Sequence, residues 1–225
     1  MLCDLNICTR SEAKAYIKKG LVSVNGEIVK DPGLHVNPDS DEIIYKGDRL
    51  KLIKNVYFML NKPEGLVSAV TDDKDKTVID LFKSENRKGL VPVGRLDKDT
   101  HGLLLITDDG DFCHHLTSPR HHVSKTYFVG LSDPISDSEI EALKSGVELK
   151  GDGITKPAEV EKINDKEILL TIQEGMYHQV KRMAAAVGNK VIYLKRISIG
   201  DLKLDESLKE GEYRPLTQEE LDLFK

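Results

Sequence analysis

The chain has 225 residues with 39% hydrophobic and 32% charged side chains, and its formal net charge is −5. This composition is too apolar for a disordered chain, and no apolar run approaches the ~20 residues that cross a bilayer. The first residues lack the long apolar segment of a signal peptide, so we expect a soluble protein that stays in the cytoplasm.

Residues 1–54 are predicted to form a small unit of their own. Thr9 and Glu12 form a capping-box pattern, which predicts a helix that ends near Lys19. Asn25-Gly26 is a favoured two-residue turn between the strands of a hairpin. Short strands are expected at residues 22–24, 27–29, 42–45 and 50–53.

From Tyr57 the pattern changes to longer strands, and we expect a second domain of residues 55–225. Capping boxes predict a helix that begins after Ser136 and ends near Gly146, and another that begins after Thr217. Many strands with few helices are typical of an α+β domain, here with an extended, mostly antiparallel mixed sheet flanked by helices. Strands are expected at residues 57–60, 90–93, 103–107, 126–131, 158–163 and 168–173.

The charges are distributed unevenly along the chain. The negative net charge argues against a nucleic-acid-binding protein, yet residues 112–128 and 176–196 contain basic residues and histidines but no acid. Residues 201–225, by contrast, contain eight acids and four bases. The two acid-free stretches are either ordinary solvated faces or a local basic surface that binds nucleic acid.

A helix is expected between Gly175 and Gly188, because apolar residues recur there with the spacing of a buried stripe. The residues of this stripe are Val180, Met183, Ala184 and Val187. Polar donors at the same spacing share another face, and they are His178, Lys181 and Arg182. This second face is either a solvated cationic surface or part of a functional site.

The segment from Gly94 to Gly102 is the densest group of candidate functional residues. It links two predicted strands, and anchored loops of this kind often contain functional groups. Asp97 lies between Arg95 and Lys98, whose positive charges favour an ionised carboxylate that can act as a nucleophile or a general base. Asp97 is therefore either a catalytic residue or a turn residue that binds loop amides.

Other chemistries fit the sequence less well. It contains neither a phosphate-binding glycine loop nor the G-x-S-x-G motif. Adjacent residues in the histidine pairs 114–115 and 121–122 point in different directions, and no nearby cysteine or carboxylate completes a tetrahedral metal site. The three cysteines form no C-x-x-C pair, so we expect free thiols and no metal site.

Five blocks of residues form an ordered pattern over residues 57–200. They are Leu60-Asn61-Lys62-Pro63-x-Gly65, the segment from Gly94-Arg95-Leu96-Asp97 to Asp109-Gly110, Lys125-Thr126-Tyr127, Glu174-Gly175-x-Tyr177-His178-Gln179-Val180-x-Arg182-Met183, and Leu194-x-Arg196-x-x-Ile199-Gly200. Together they resemble the signature of the ribosomal RNA pseudouridine synthases, in the small-subunit branch. Blocks that match in order are far more specific than a single short motif.

The N-terminal residues show a second resemblance. The segment from Ser11-Glu12-Ala13-Lys14 to Val24-Asn25-Gly26 is similar to the small RNA-binding domain first seen in ribosomal small-subunit protein four. The chain departs from the family patterns at Met1-Leu2-Cys3-Asp4, where a basic stretch is usual, and at Met176, where arginine is frequent. Lys181 stands where many relatives have arginine, and it retains the positive charge.

The resemblance implies an enzyme that isomerises uridine to pseudouridine in RNA without a metal or an organic cofactor. The base would be flipped out of the RNA, detached from its ribose, rotated and reattached through carbon. Asp97 is then the implied catalytic residue, which attacks or deprotonates the substrate. Tyr127 would stack on the extruded base, Lys181 would pair with Asp97, and Leu194 would pack beneath the base.

The resemblance also implies residues that bind RNA. Arg95 would occupy the gap that the flipped base leaves in the RNA stack. Basic residues of both domains would contact phosphates and make binding sensitive to salt. In addition to Arg95, the predicted RNA-binding residues are Lys125, Arg182, Lys195 and Arg196 of the second domain and Arg10, Lys14 and Lys18 of the first.

The substrate favoured by the resemblance is 16S small-subunit ribosomal RNA, either free or within an assembling small subunit. Two alternatives stay open, namely the same reaction on 23S large-subunit RNA and a non-catalytic ribosome-assembly factor that only binds RNA. Large-subunit enzymes often have basic tails, whereas the C-terminal residues here are acidic, which favours the small subunit. We expect a monomer with no membrane contact.

Overall fold

In the computed structural model of the protein, residues 2–3, 5, 7–37, 40–50, 55–118 and 121–225 are described. The chain separates into two compact units, Met1–Lys54 and Asn55–Lys225. Within the described ranges, no helix is both long and apolar enough to cross a membrane.

The first unit contains a helix and a small antiparallel sheet. Helix α1 (Arg10–Lys18) begins at Thr9, whose side chain accepts a hydrogen bond from the Glu12 backbone NH while the Glu12 carboxylate accepts one from the Thr9 NH. The strands are β1 (Val22–Val24), β2 (Glu27–Ile28), β3 (Ile43–Tyr45) and β4 (Asp48–Leu50), which pair in the order β2-β1-β3-β4. Their buried core consists of Leu2, Ala13, Val22 and Ile43.

The hairpin predicted in this unit is confirmed. Asn25 and Gly26 have φ values of 52° and 85°, and this pair of positive angles is what a tight type I′ turn requires. The strand predicted at residues 50–53 lies outside the described residues except for Leu50, which ends β4.

The second unit contains a two-stranded hairpin and, among its described residues, a mixed sheet of nine strands. The strands are β5 (Tyr57–Lys62), β6 (Val91–Pro92), β7 (His101–Thr107), β8 (Lys125–Leu131), β9 (Glu148–Leu149), β10 (Gly153–Ile154), β11 (Glu159–Asn164), β12 (Glu167–Ile172), β13 (Val191–Ile199), β14 (Leu202–Lys203) and β15 (Tyr213–Pro215). The main order is β11-β12-β8-β13-β7-β5-β15, with β14 on β13, β6 on β7, and β9 and β10 forming the hairpin. Only β13 and β7 pair in parallel among these described strands, so the predicted mostly antiparallel mixed sheet is confirmed.

The helices flank this sheet. Those predicted from capping and periodicity are confirmed as α3 (Asp137–Ser145), α4 (Gln179–Ala186) and α5 (Gln218–Asp222). Two helical segments were not predicted, namely the 3-10 helix Val78–Glu85 and α2 (Gly110–Thr117). Helix α2 begins at Asp109, whose side chain accepts hydrogen bonds from the backbone NH groups of Asp111 and Phe112.

The sheet is buried on both faces. Successive residues of β7 belong to different apolar clusters, with Leu104 and Ile106 in one and Leu103 and Leu105 in the other. The first cluster includes residues of α3 and α4, and the second includes residues of α2 and the C-terminal segment. This double burial explains the continuous apolar run of β7, which is unusual for an antiparallel sheet with one wet face.

Gly102 determines how closely β7 and β13 approach each other. Its φ is +98°, and a Cβ atom at this position would lie 2.2 Å from the carbonyl oxygen of Arg196. In the parallel register, Lys195 is opposite His101 and Arg196 is opposite Gly102. The loop that precedes β7 is thereby anchored against the middle of β13.

Candidate active site

Asp97 lies in the loop between β6 and β7, and its side chain is 27% exposed. Its Oδ2 atom accepts a hydrogen bond of 2.8 Å from the Nζ of Lys181, and its Oδ1 atom lies 3.6 Å from the Nε2 of His178. The buried stripe of α4 packs into the core, so its polar face is turned to the loop. The sequence analysis left this face as either a solvated cationic surface or part of a functional site, and the structure places both His178 and Lys181 beside Asp97.

Lys181 also bonds to Asp99, at 2.5 Å, and so connects two carboxylates of the loop. Burial opposes the charge of the ammonium, but the hydrogen bonds and attraction of Asp97 and Asp99 outweigh it and raise the pKa of Lys181. Burial likewise acts against an ionised Asp99, but the ammonium of Lys181 holds the pKa of that carboxyl below its usual value. Lys181 is accordingly a cation at neutral pH.

Lys62, at the end of β5, supports the loop from within the protein, and the sequence analysis assigned it no role. Its side chain is fully buried, and its ammonium donates hydrogen bonds to loop carbonyls. The acceptors are Pro63 at 3.0 Å, Asp97 at 3.1 Å, Lys98 at 3.3 Å and Thr100 at 2.9 Å. Burial lowers the pKa of Lys62 to about 8, although nearby carboxylates oppose this effect.

Other contacts fix the same loop. The buried hydroxyl of Ser68 donates to the Leu96 carbonyl at 2.8 Å and accepts from the Leu96 NH at 3.1 Å. The backbone NH of Gly65 donates to the Lys98 carbonyl at 2.8 Å. These bonds hold the backbone on both sides of Asp97, which leaves its carboxylate in a defined position.

Tyr127 and Leu194 lie on the neighbouring strands β8 and β13, where they are 8% and 5% exposed. Tyr127 pairs with Arg196 in the strand register, and Leu194 pairs with Val129, so these side chains share one face of the sheet. Leu96, which precedes Asp97, belongs to the same apolar cluster as Tyr127 and Leu194. The cluster therefore extends to the loop that presents Asp97.

The predicted RNA-binding residues differ in their surroundings. Arg95 is exposed, Lys195 is half-buried, and Arg10, Lys14 and Lys18 are exposed on α1 at a spacing that puts them on one face. The half-buried Lys125 donates to the Val123 carbonyl at 2.9 Å, and burial, with the charge of Arg196, lowers the pKa of Lys125 to about 8.

Arg182 has contacts that compete with the predicted phosphate contact. Its guanidinium forms an ion pair of 2.5 Å with Asp152 and donates to the carbonyls of Lys150 and Tyr177 at 2.8 and 3.2 Å. It therefore ties the β9–β10 hairpin to the start of α4.

The prediction that Arg196 contacts phosphate is wrong for the structure described. Its side chain is among the most buried in the protein, at 2% exposure, and its Nε donates to the Leu103 carbonyl at 2.8 Å. Its Nη2 is buried without a hydrogen-bond partner among the described residues. The sequence could not reveal this burial, because it results from the close contact of β13 with β7 at Gly102.

Comparison with known proteins shows the family to which the chain is related. The family model of RNA pseudouridylate synthases matches residues 56–186, and that of the S4 domain matches residues 1–43. YtzG of Bacillus subtilis, described as an uncharacterized RNA pseudouridine synthase, is 48% identical over 100% of this chain and 96% of its own length. The ribosomal small subunit pseudouridine synthase A of Haemophilus influenzae is 48% identical over 95% of this chain and 93% of its own length.

A solved structure described as a pseudouridylate synthase matches with a TM-score of 0.73 and 46% identity, covering 100% of this chain and 96% of that one. The fold, the S4 unit and the sequence relatives thus agree with the resemblance seen in the sequence. The chain belongs to the RNA pseudouridylate synthase family, and its N-terminal residues form an S4 domain.

Proposed function

We propose that this protein isomerises a uridine of 16S small-subunit ribosomal RNA to pseudouridine, with Asp97 as the catalytic residue. The observation that carries this proposal is the contact of 2.8 Å between the Asp97 carboxylate and the Lys181 ammonium, in a loop fixed from beneath by Lys62. A partly exposed, well-positioned carboxylate is what an enzyme needs to reach a reacting atom in a flipped-out nucleotide.

Asp97 acts first on the flipped uridine, by attack or by proton abstraction. The reaction breaks the bond between the ribose C1′ and the base N1, and it forms a bond between C1′ and C5. The C5 proton leaves to solvent, N1 gains a proton, and no redox partner is needed. Lys181 orients Asp97 through these steps by its hydrogen bond to Oδ2.

The apolar cluster next to the loop receives the base. Tyr127 stacks on the extruded uracil, and Leu194 packs beneath it. Both side chains are largely buried in the described structure, which suits a pocket that excludes water from the reacting base.

Basic side chains of both domains bind the RNA. Arg95 takes the space that the flipped base leaves, and Lys195 and Lys125 contact phosphates near the site. The basic face of α1, formed by Arg10, Lys14 and Lys18, gives a second set of phosphate contacts. Arg182 acts differently, because its bonds to the β9–β10 hairpin make it a support for this surface.

The choice of 16S RNA follows the relatives, since several that cover most of the chain are named for the small ribosomal subunit. A non-catalytic RNA-binding factor would not need a carboxylate beside a phosphate-rich ligand. We further propose that the protein works as a monomer in the cytoplasm, on free RNA or on an assembling small subunit.

The test is to map pseudouridines in ribosomal RNA from cells with and without this protein. We expect one site in 16S RNA to lose its pseudouridine and to regain it when the wild-type gene is restored. A loss confined to 23S RNA would favour the large-subunit alternative, and an unchanged map would contradict the proposed activity.

A further inference from the structure

Tyr177 is a solvent-exposed aromatic residue beside the candidate active site. It is 70% exposed, whereas most aromatic side chains bury the greater part of their surface. Its ring stacks on that of His178, with the centroids 3.8 Å apart and the planes at 19°. The same His178 places its Nε2 atom 3.6 Å from the Asp97 carboxylate, so the stacked pair lies next to the catalytic residue.

Hydrogen bonds to the backbone hold the stacked pair of Tyr177 and His178 in place. Arg182 donates to the Tyr177 carbonyl at 3.2 Å while it is anchored to Asp152 and to the Lys150 carbonyl. His178 has a φ of 50°, a left-handed backbone conformation that residues other than glycine rarely adopt. An unusual backbone conformation held by surrounding contacts is common at binding sites. The platform is therefore built into the start of α4.

One face of the Tyr177 ring is covered by His178, which leaves the opposite face for a ligand. A flat, exposed ring beside an RNA-modifying site fits a nucleobase, because every base offers a π-face that stacks on an aromatic side chain. The surrounding segment, residues 176–196, contains basic residues and no acid, so the phosphates of such a nucleotide would meet no repulsion from it.

We propose that Tyr177, supported by His178, is a stacking site for a base next to the target uridine. This inference rests on the proposed function, because it assigns a further contact to the same RNA. The target uracil itself enters the apolar cluster at Tyr127, while the neighbouring base lies outside on Tyr177. The pair thus holds the nucleotide beside the modified position, whichever base it carries.

The chain contains no tryptophan, which makes a direct test available. In the Tyr177→Trp variant the new indole is the sole tryptophan, and a base stacked on it quenches its fluorescence. We expect a 16S ribosomal RNA transcript to quench this signal and heparin, a polyanion without bases, to leave it nearly unchanged. The matched control is Ile163→Trp, at an exposed position on the β11–β12 hairpin, where RNA should quench little.

Kinetics provide the second readout, using release of tritium from 16S transcripts labelled at C5 of uridine. Tyr177→Ala should raise KM and the Kd for RNA by about 5-fold to about 150-fold, the range for loss of one stacked base. Tyr177→Phe, which retains the ring, should keep KM and Kd close to the wild-type values. The thermal midpoint of Tyr177→Ala should stay within about 2 °C of wild type, because an exposed ring contributes little to stability.

An unchanged Kd for Tyr177→Ala, or equal quenching by heparin and RNA, would overturn the stacking site. Failure of the proposed function has a different signature, since the wild-type protein would then release no tritium from 16S RNA. Quenching by the 16S transcript but not by heparin would in that case still support a base-stacking site at Tyr177, without isomerisation of a neighbouring uridine.

Discussion

Asp97 and Lys181 are 84 residues apart in the chain, yet their side chains form the central contact of the site. Each side chain keeps about a quarter of its surface exposed, so the pair is only partly screened by water. Such a pair contributes little to folding but much to orientation, because it fixes where the carboxylate oxygens point. At this site, Asp97 acts on the substrate, whereas Lys181 positions the Asp97 carboxylate.

We predict that Asp97→Asn abolishes pseudouridine formation, with a loss of at least about 1,000-fold in rate, because an amide cannot replace an ionised carboxylate. RNA affinity should stay within a few-fold of wild type, since the substitution removes a negative charge from an RNA-binding face. Tritium release measures the first quantity, and fluorescence anisotropy with labelled RNA measures the second. Substantial turnover by this variant would contradict the assignment of Asp97.

Lys62 belongs to the positioning groups, and its burial leads to a prediction about pH. Its pKa in the folded protein is about 8, well below the ordinary value of 10.5, so between these two values the unfolded chain binds the extra proton. Stability rises with pH wherever the unfolded state binds more protons. The contribution of Lys62 to the free energy of unfolding should therefore increase from pH 8 to pH 10.

The measurement is urea denaturation of the wild-type protein and of Lys62→Met at several pH values. Lys125 titrates in the same range but is present in both proteins, so its effect cancels in the difference. We expect the wild type to gain relative to the variant by about 1 kcal/mol per pH unit. A difference that is flat across this range would mean that Lys62 keeps its proton in the fold.

At the scale of elements, the contact between β7 and β13 is the decisive one. It depends on Gly102, where both the backbone angle and the missing side chain are needed. The same contact buries Arg196 and brings β13, with Leu194 and Lys195, beside the loop that contains Asp97.

Gly102→Ala should destabilise the protein by several kcal/mol, since a Cβ 2.2 Å from the Arg196 carbonyl forces the strands apart and the φ of +98° strains any side chain. The matched control is Gly110→Ala at the start of α2, where, among the described residues, no atom beyond its chain neighbours and its own helix backbone lies within 4 Å of the added Cβ. That variant should stay within about 0.5 kcal/mol of wild type or gain slightly in helix propensity. Thermal and urea unfolding of both variants provide the comparison, and equal stability would contradict the role assigned to Gly102.

Local signals allowed the sequence to predict α1, α3 and α5, because a capping box involves residues only three positions apart. Helix α2 was missed because its short sequence mixes histidines with apolar residues, and its cap depends on Asp109 alone. Strand β13 was missed because Lys195 and Arg196 interrupt its alternation, although Arg196 is in fact buried. Contacts such as those of Lys62 with the loop carbonyls are tertiary, so no local pattern indicates them.

At the scale of the whole molecule, the net charge of −5 is distributed unevenly between segments. Acidic residues are concentrated in residues 201–225, where Arg214 joins Asp205 and Glu220 in an internal ion-pair network. Basic residues of α1 are exposed on one face instead. A molecule that is acidic on average can thus bind a polyanion through a local cationic surface.

This argument predicts how salt affects binding. Replacing Lys14 and Lys18 together by glutamine should weaken RNA binding. The magnitude of the slope of log K against log salt should fall by between about 1 and about 2, because binding with fewer phosphate contacts releases fewer counterions. The control replaces Lys144 and Lys209, which are exposed elsewhere, by the same residue. Both double variants lose two charges, so a purely bulk effect would change their slopes equally. Only a specific phosphate contact of α1 makes the first slope fall while the second stays near that of the wild type.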